Sequence, residues 1–209
     1  MNTLKKWIAI AGVAAFAMVI PTSLLAQDKA PEKAPEKAPE EIKSADKGDL
    51  VELKLELPKP MFIGTPKNIK TDNLEKPSKE KPKPFMVPKG TVNLALKKPV
   101  TSSEEDPIIG DLEMVTDGDK AGADGSYVEL GPFQQWVQID LEKECEIYAI
   151  VVWHYHTEAR VYKDMVIQVA DDPDFIENVR TVYNNDHDNS SGLGVGKDGA
   201  RLFPLDGIV

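Results

Sequence analysis

The sequence predicts an all-β protein, an antiparallel β-sandwich carried at the end of an extended Pro/Lys/Glu-rich tether. From residue 93 onward, short β-branched or aromatic runs alternate with polar turns, and no amphipathic helix of useful length separates them. The stretch before residue 93 is spaced by prolines and has too little apolar mass to build a core of its own.

Three runs read as strands. Residues 136–141, 147–153 and 165–170 are each rich in Val, Ile or Trp and end in charged or Gly/Asn/Asp-containing turns. In the first, Val137, Ile139 and Leu141 fall on one face while Trp136, Gln138 and Asp140 fall on the other. That period of two belongs to a strand with one buried face, and several such strands without helices between them indicate a sandwich.

The amino terminus reads differently. Lys5 and Lys6 precede an apolar run over 7–20, which is followed by Pro21 and the small-residue exit Ser23-Leu24-Leu25-Ala26. A basic start, a short apolar centre and a small-residue exit describe a signal peptide over 1–26, and the apolar run falls short of the roughly 20 residues a spanning helix needs. The alternative is an uncleaved anchor, since Leu24 is a poor residue two positions before the cut; either reading places the rest of the chain outside the cytoplasm, as a secreted, periplasmic or cell-surface protein. The single cysteine, Cys145, excludes an internal disulfide framework and any Cys-based zinc site, and reads as a core thiol.

Residues 27–49 carry the repeat Ala30-Pro31-Glu32-Lys33, Ala34-Pro35-Glu36-Lys37, Ala38-Pro39-Glu40-Glu41. Proline at every fourth position denies it a helix and biases it toward extended conformations, so it reads as a disordered, semi-rigid linker. Residues 71–92 form a second linker of the same Pro/Lys-rich kind. Between them, over 50–70, Val51, Leu53, Leu55 and Leu57 alternate with Glu52, Lys54 and Glu56, which predicts a β-arm docked on the domain; the alternative is isolated structure within the linker.

Charge is unevenly placed. The chain has a net charge of −10, but residues 27–89 carry 14 basic and 12 acidic side chains, whereas residues 93–209 carry 9 basic against 23 acidic. The acidity therefore belongs to the domain. Such a surface repels phosphate backbones and anionic lipid heads, which argues against nucleic acid or membrane partners and favours cations.

Four blocks in order then resemble a known family. Asn93 to Ser103, with the core Asn-Leu-Ala-Leu-Lys-Lys-Pro-Val-Thr-Ser-Ser, is followed by Val115-Thr116-Asp117-Gly118-Asp119, by Trp136-Val137-Gln138-Ile139-Asp140-Leu141, and by the run 147–153. Together they resemble a discoidin-type domain, also called a coagulation factor type C domain, of the galactose-binding-like class found in carbohydrate-binding modules. The run 166–175 is similar to the strand and turn that follow there. The resemblance implies an antiparallel jelly-roll β-sandwich over 93–209. The family's closing strands, one Arg-rich and one ending in a Glu-containing motif, are missing after residue 205, so the domain reads as truncated, with an exposed edge and part of its core uncovered.

Candidate sites follow. Asp117, Asp119, Asp124 and Ser126 lie in a loop with three glycines, whose sharp turns let oxygens converge on a hard cation. The resemblance implies a structural calcium ion there; the alternative is an acidic turn capped by Asp117. Beyond residue 153, the loop with His154, Tyr155, His156, Arg160 and Tyr162 corresponds in similar domains to part of the sugar-binding rim, with Tyr127 and Glu129 contributed by an earlier loop. Aromatic faces pack on sugar rings and His, Arg and carboxylates bond hydroxyls; the alternative is a structural rim with Tyr155 in the core.

The expected function is therefore non-catalytic binding of a glycan or cell-surface polysaccharide. The alternative is structural interaction with a protein of the cell envelope. His154, His156 and Asp186-His187-Asp188 offer ligand types for a metal-dependent hydrolase, but they lack the helical spacing of known zinc hydrolases and no general base is identifiable. The run 186–190 has calcium-ligand types, yet Ser191 and Lys197 stand where an EF-hand needs Gly and Glu, so it reads as a surface loop.

Overall fold

The computed structural model describes residues 5–12, 49–56, 73–74, 83–123, 125–155, 157, 160–199 and 201–202. Nine strands run through them: β1 (Lys5–Gly12), β2 (Leu50–Glu52), β3 (Met86–Pro88), β4 (Val100–Ser102), β5 (Gln135–Cys145), β6 (Val161–Tyr162), β7 (Met165–Ala170), β8 (Arg180–Asn184) and β9 (Arg201–Leu202). A 3-10 turn at Leu112–Val115 is the helical element among the described residues, and none of their helices is long and apolar enough to cross a membrane. The described chain is thus mostly β.

The main sheet has the order β4-β5-β1-β7-β8, and every neighbouring pair is antiparallel. Alternation dictates its inner face. Ile139 and Leu141 of β5, Ile167 and Val169 of β7 and Tyr183 of β8 are buried together with Ile8, Cys145 and Ile150, and Val100, Leu94 and Met165 pack against that cluster. Strand β7 is covered on both sides: Val166, Ile167, Val169 and Ala170 are all at most 1 % exposed. At about 1.5–3 kcal/mol for each large apolar side chain removed from water, this cluster is the main source of stability.

The sequence expectations meet this sheet unevenly. The run 165–170 is β7 with the same bounds. The run 136–141 extends to Cys145 because Glu142, at φ 61°, bulges the strand and turns Cys145 back into the core, where burial raises its thiol pKa. The expected strand over 147–153 does not form a ladder; Ile150 is buried and Ile147 and Val152 pack on the core from an irregular segment. Its β-branched content is satisfied mainly by burial, with a single β-bridge at Val151 in place of a ladder.

Two further differences concern the chain before residue 93. Lys5–Gly12, within the segment read as an export signal, is the central strand β1, paired with β5 on one side and β7 on the other. The arm forms a short hairpin ladder, Leu50 opposite Pro88 and Glu52 opposite Met86, so part of the stretch read as a linker is β3. Leu53 and Leu55 are half-buried while Lys54 and Glu56 are exposed, and Val87 is buried. The proline repeat over 30–41 lies outside the described residues.

Candidate functional site

After Val152 the chain leaves the core and turns back into β6, and with Tyr127 from an earlier loop it brings five ring or guanidinium groups together. The Tyr155 ring lies 4.8 Å from that of Tyr127, tilted by 58°, and the Arg160 guanidinium stands 4.6 Å over Tyr155. Beside them His154 stacks on Tyr162 with centroids 4.0 Å apart and 22° between planes, and the Tyr162 hydroxyl donates to the Tyr155 carbonyl at 3.4 Å. Tyr127 is positioned by the antiparallel bridge between Ile109 and Glu129, which closes on Gly110 at φ 77°. A Cβ at Gly110 would collide with the Tyr127 carbonyl, so glycine is needed there for both conformation and space.

The electrostatics of this cluster are unusual for a surface. Poor solvation holds the His154 pKa down at about 4, so the imidazole is neutral at physiological pH. Burial raises the Tyr162 pKa against the pull of the Arg160 charge, and the negative charge of Glu129 adds to the rise. Thr157, in the same turn, has a buried hydroxyl with no hydrogen-bond partner among the described residues, a group of the kind a ligand or a water satisfies. Of the expected rim residues, Tyr127, His154, Arg160 and Tyr162 are in this cluster, Glu129 acts on it through its charge, and His156 lies outside the described residues.

The acidic loop after the 3-10 turn is self-bonded. An Asp117 carboxylate oxygen accepts the Asp119 amide at 2.7 Å, and an Asp119 oxygen accepts the Ala121 amide at 2.9 Å. Hydrogen bonds from the Ala121 amide and then from the Ser126 side chain lower the Asp119 pKa, which puts Asp119 and Ser126 in contact. Asp124 lies outside the described residues. The loop is joined to the rim through Lys120, whose ammonium stands 5.4 Å from the centroid of the Trp153 ring.

A second acidic group sits at the other end of the β7–β8 hairpin. Asp164 immediately precedes β7 and Asp186 follows β8, so antiparallel pairing brings them to the same edge with Asp188 beside them. Each can offer a carboxylate oxygen with all three oxygens within 4.8 Å of one another, so this triad could hold a metal ion. Asp186 is fully buried: one oxygen accepts the Ser190 amide at 3.0 Å and the other the Ser191 amide at 2.7 Å. Burial opposes its charge, but the Ser191 and Ser190 hydrogen bonds prevail and hold its pKa at about 2. At Asp164 burial is the larger influence, and repulsion from Asp188 and Asp186 pushes its pKa up further.

Sequence reasoning missed Asp164. Its signal was indirect, since only the pairing of β7 with β8 shows that it adjoins the acidic run over 186–188 that was read as a surface loop. Asn185 fixes the junction, its side chain accepting the Met165 amide at 2.6 Å and donating to the Tyr162 carbonyl at 3.0 Å. His187 bonds the Asp198 carbonyl at 2.7 Å, away from any grouping with His154.

Chemically, the rim offers aromatic faces and a guanidinium, which suit a polyhydroxylated ring. No match was found among curated proteins or among solved structures. Residues 114–198, which include the rim, the acidic loop, β5, β7 and β8, match the family model described as the NedA-like, galactose-binding domain, and this segment is therefore a galactose-binding-like domain of the F5/F8 type C kind.

Proposed function

We propose that the chain is an exported, non-catalytic module that binds a glycan or cell-surface polysaccharide through the rim at Tyr127, Tyr155, Arg160 and Tyr162. The observation that carries this reading is the grouping of Tyr127, 4.8 Å from the Tyr155 ring, and the Arg160 guanidinium, 4.6 Å from it, beside the His154–Tyr162 stack. A sugar's C–H face packs on such rings while its hydroxyls take the guanidinium and Glu129. The galactose-binding-like match over 114–198 supports a sugar as the ligand. In this reading β4, β5, β7 and β8 belong to one layer of a jelly roll, and the tether over 27–92 holds the domain away from the cell surface.

Calcium belongs to the same proposal, as a structural ion. Asp117, Asp119, Asp124 and Ser126 are its expected ligands, and the triad Asp164, Asp186 and Asp188 is the other place where carboxylates converge. The repulsion that raises the Asp164 pKa is what a divalent cation would relieve.

A glycan array probed with the full chain, followed by calorimetry on the best ligand, tests the rim. Arg160→Ala should weaken binding by about tenfold or more, the loss of one charged hydrogen-bonding group, with the melting temperature unchanged. A folded wild-type chain that binds no glycan on the array would refute the proposal.

A further inference from the structure

The loop that leads into β5 displays an aromatic ring that belongs to neither the core nor the rim cluster. Phe133 is 58 % exposed, and its φ of 85° is the largest among the non-glycine residues described. A bulky side chain adopts this left-handed backbone only at a cost in strain, which glycine would not incur. The loop around it is nevertheless braced. The Gln135 side-chain amide donates back to the Gly131 and Pro132 carbonyls, both at 3.4 Å, and a Glu104 carboxylate oxygen accepts the Gly131 amide. The Gln134 side chain donates to the Ser191 carbonyl at 3.1 Å, which ties the loop to the turn beyond β8. A fixed, strained turn thus holds a phenyl ring in water.

Sheet register places this ring at the same end of the molecule as the rim. Gly12 of β1 pairs with Gln135 on one side and with Met165 on the other, so β5 and β7 start level with each other, two strand spacings or about 10 Å apart. Phe133 stands just before the start of β5, and Tyr162 of the rim just before the start of β7. Tyr127 of the rim lies six residues before Phe133, so their backbones are at most about 20 Å apart. A single pyranose ring is too small to bridge separations of this order, whereas a short run of a polysaccharide chain spans them. Beside the ring, the exposed Gln134 amide has a second N–H and a carbonyl oxygen, beyond its bond to Ser191, with which to meet hydroxyls.

We propose that Phe133 is a second sugar-stacking platform, and that the ligand is an internal run of a linear polysaccharide seated on the rim at one point and on Phe133 at another. This rests on the reading of the rim as a glycan site and adds to it the length of ligand that the site takes. The phenyl face packs on the C–H face of a pyranose ring, as the rim tyrosines do. Once one sugar of the chain is seated on the rim, the second contact is intramolecular, so even a weak platform raises the affinity for a chain long enough to reach both. The backbone strain fits this role, because a residue that served only the turn would be glycine.

Calorimetry on the full chain compares galactose with linear galactan oligomers of two, four and six residues. For the wild type, affinity should rise by about tenfold or more from galactose to the longest oligomer, the effect of one added aromatic contact. Phe133→Gly should abolish that rise, so that oligomers bind no tighter than galactose, and its melting temperature should equal or exceed that of the wild type because the left-handed strain is gone. Phe133→Tyr, which restores an aromatic face, should keep the rise. An affinity in the wild type that does not grow with length would overturn the inference and leave the rim as a site for one sugar. A rise that survives in Phe133→Gly would also overturn it, leaving the ring as a contact for a protein partner. A lower melting temperature in Phe133→Gly together with loss of all saccharide binding would mark the ring as a structural prop and likewise overturn it. A wild type that binds neither galactose nor any oligomer removes the glycan reading of the rim, and this inference falls with it.

Discussion

Acidification should destabilise this protein through one side chain before its carboxylates are protonated. His154 has an ordinary value of 6.5 and is held at about 4 in the folded chain by lack of solvation against the Tyr162 ring. The unfolded chain therefore binds a proton between those values that the folded chain refuses. Stability from this residue is complete above about pH 6.5, falls as the pH drops toward 4, and changes no further below it. The difference corresponds to about 2 kcal/mol at pH 5 and about 3 kcal/mol at pH 4, as upper estimates. Asp186, held at about 2, loses its contribution only at more acid pH, so the two effects separate. Urea denaturation of wild type and His154→Gln at pH 7.5, 6 and 5 isolates the term. The wild type should lose about 2 kcal/mol more than the variant between pH 7.5 and pH 5. Parallel pH profiles, or a His154 ring titrating near 6.5 by NMR in the folded protein, would refute the reasoning.

Three more substitutions test the geometry. Gly196→Ala should cost about 1–3 kcal/mol or more in urea denaturation, because the new Cβ would press on the Asn184 carbonyl at 2.5 Å and the Asp186 amide at 2.7 Å, both backbone atoms in the turn that orders Asp186. Gly110→Ala combines a left-handed backbone with a collision at the Tyr127 carbonyl, so stability and glycan binding should fall together, by about 1–3 kcal/mol in stability. Asp164→Asn removes one of three mutually repelling carboxylates; thermal melting in chelator should then be equal to or above that of wild type. If the triad holds calcium, millimolar calcium should raise the melting temperature of wild type and not of this variant; an equal rise in both would place the ion elsewhere.

What could be read from the sequence was local. Strand β7 and the inward face of β5 follow from alternation within a few residues, and the rim residues from His154 to Tyr162 are neighbours along the chain. The remaining features depend on pairing between distant segments, for which a single sequence carries no direct signal. The apolar run at 7–20 has the composition of an export signal, and only the gap between β5 and β7 selects residues 5–12 as a strand. Asp164 joins Asp186 and Asp188 because the β7–β8 hairpin aligns its two ends. In the run 147–153, β-branched residues suit either a ladder or an irregular stretch against the core, and burial of Ile150 anchors the irregular stretch with only a single β-bridge at Val151.

The placement of Lys120 over Trp153 has an experimental consequence. Trp153 is followed directly by His154 and Tyr155 of the rim, while Lys120 belongs to the loop that contains Asp117 and Asp119. Indole emission responds to a nearby positive charge and to solvent exposure, so Trp153 is an optical reporter wired to both places at once. A sugar seated on Tyr155 and a cation that redraws the acidic loop should each alter its fluorescence, against the background of Trp7 and Trp136, without any label attached to the protein.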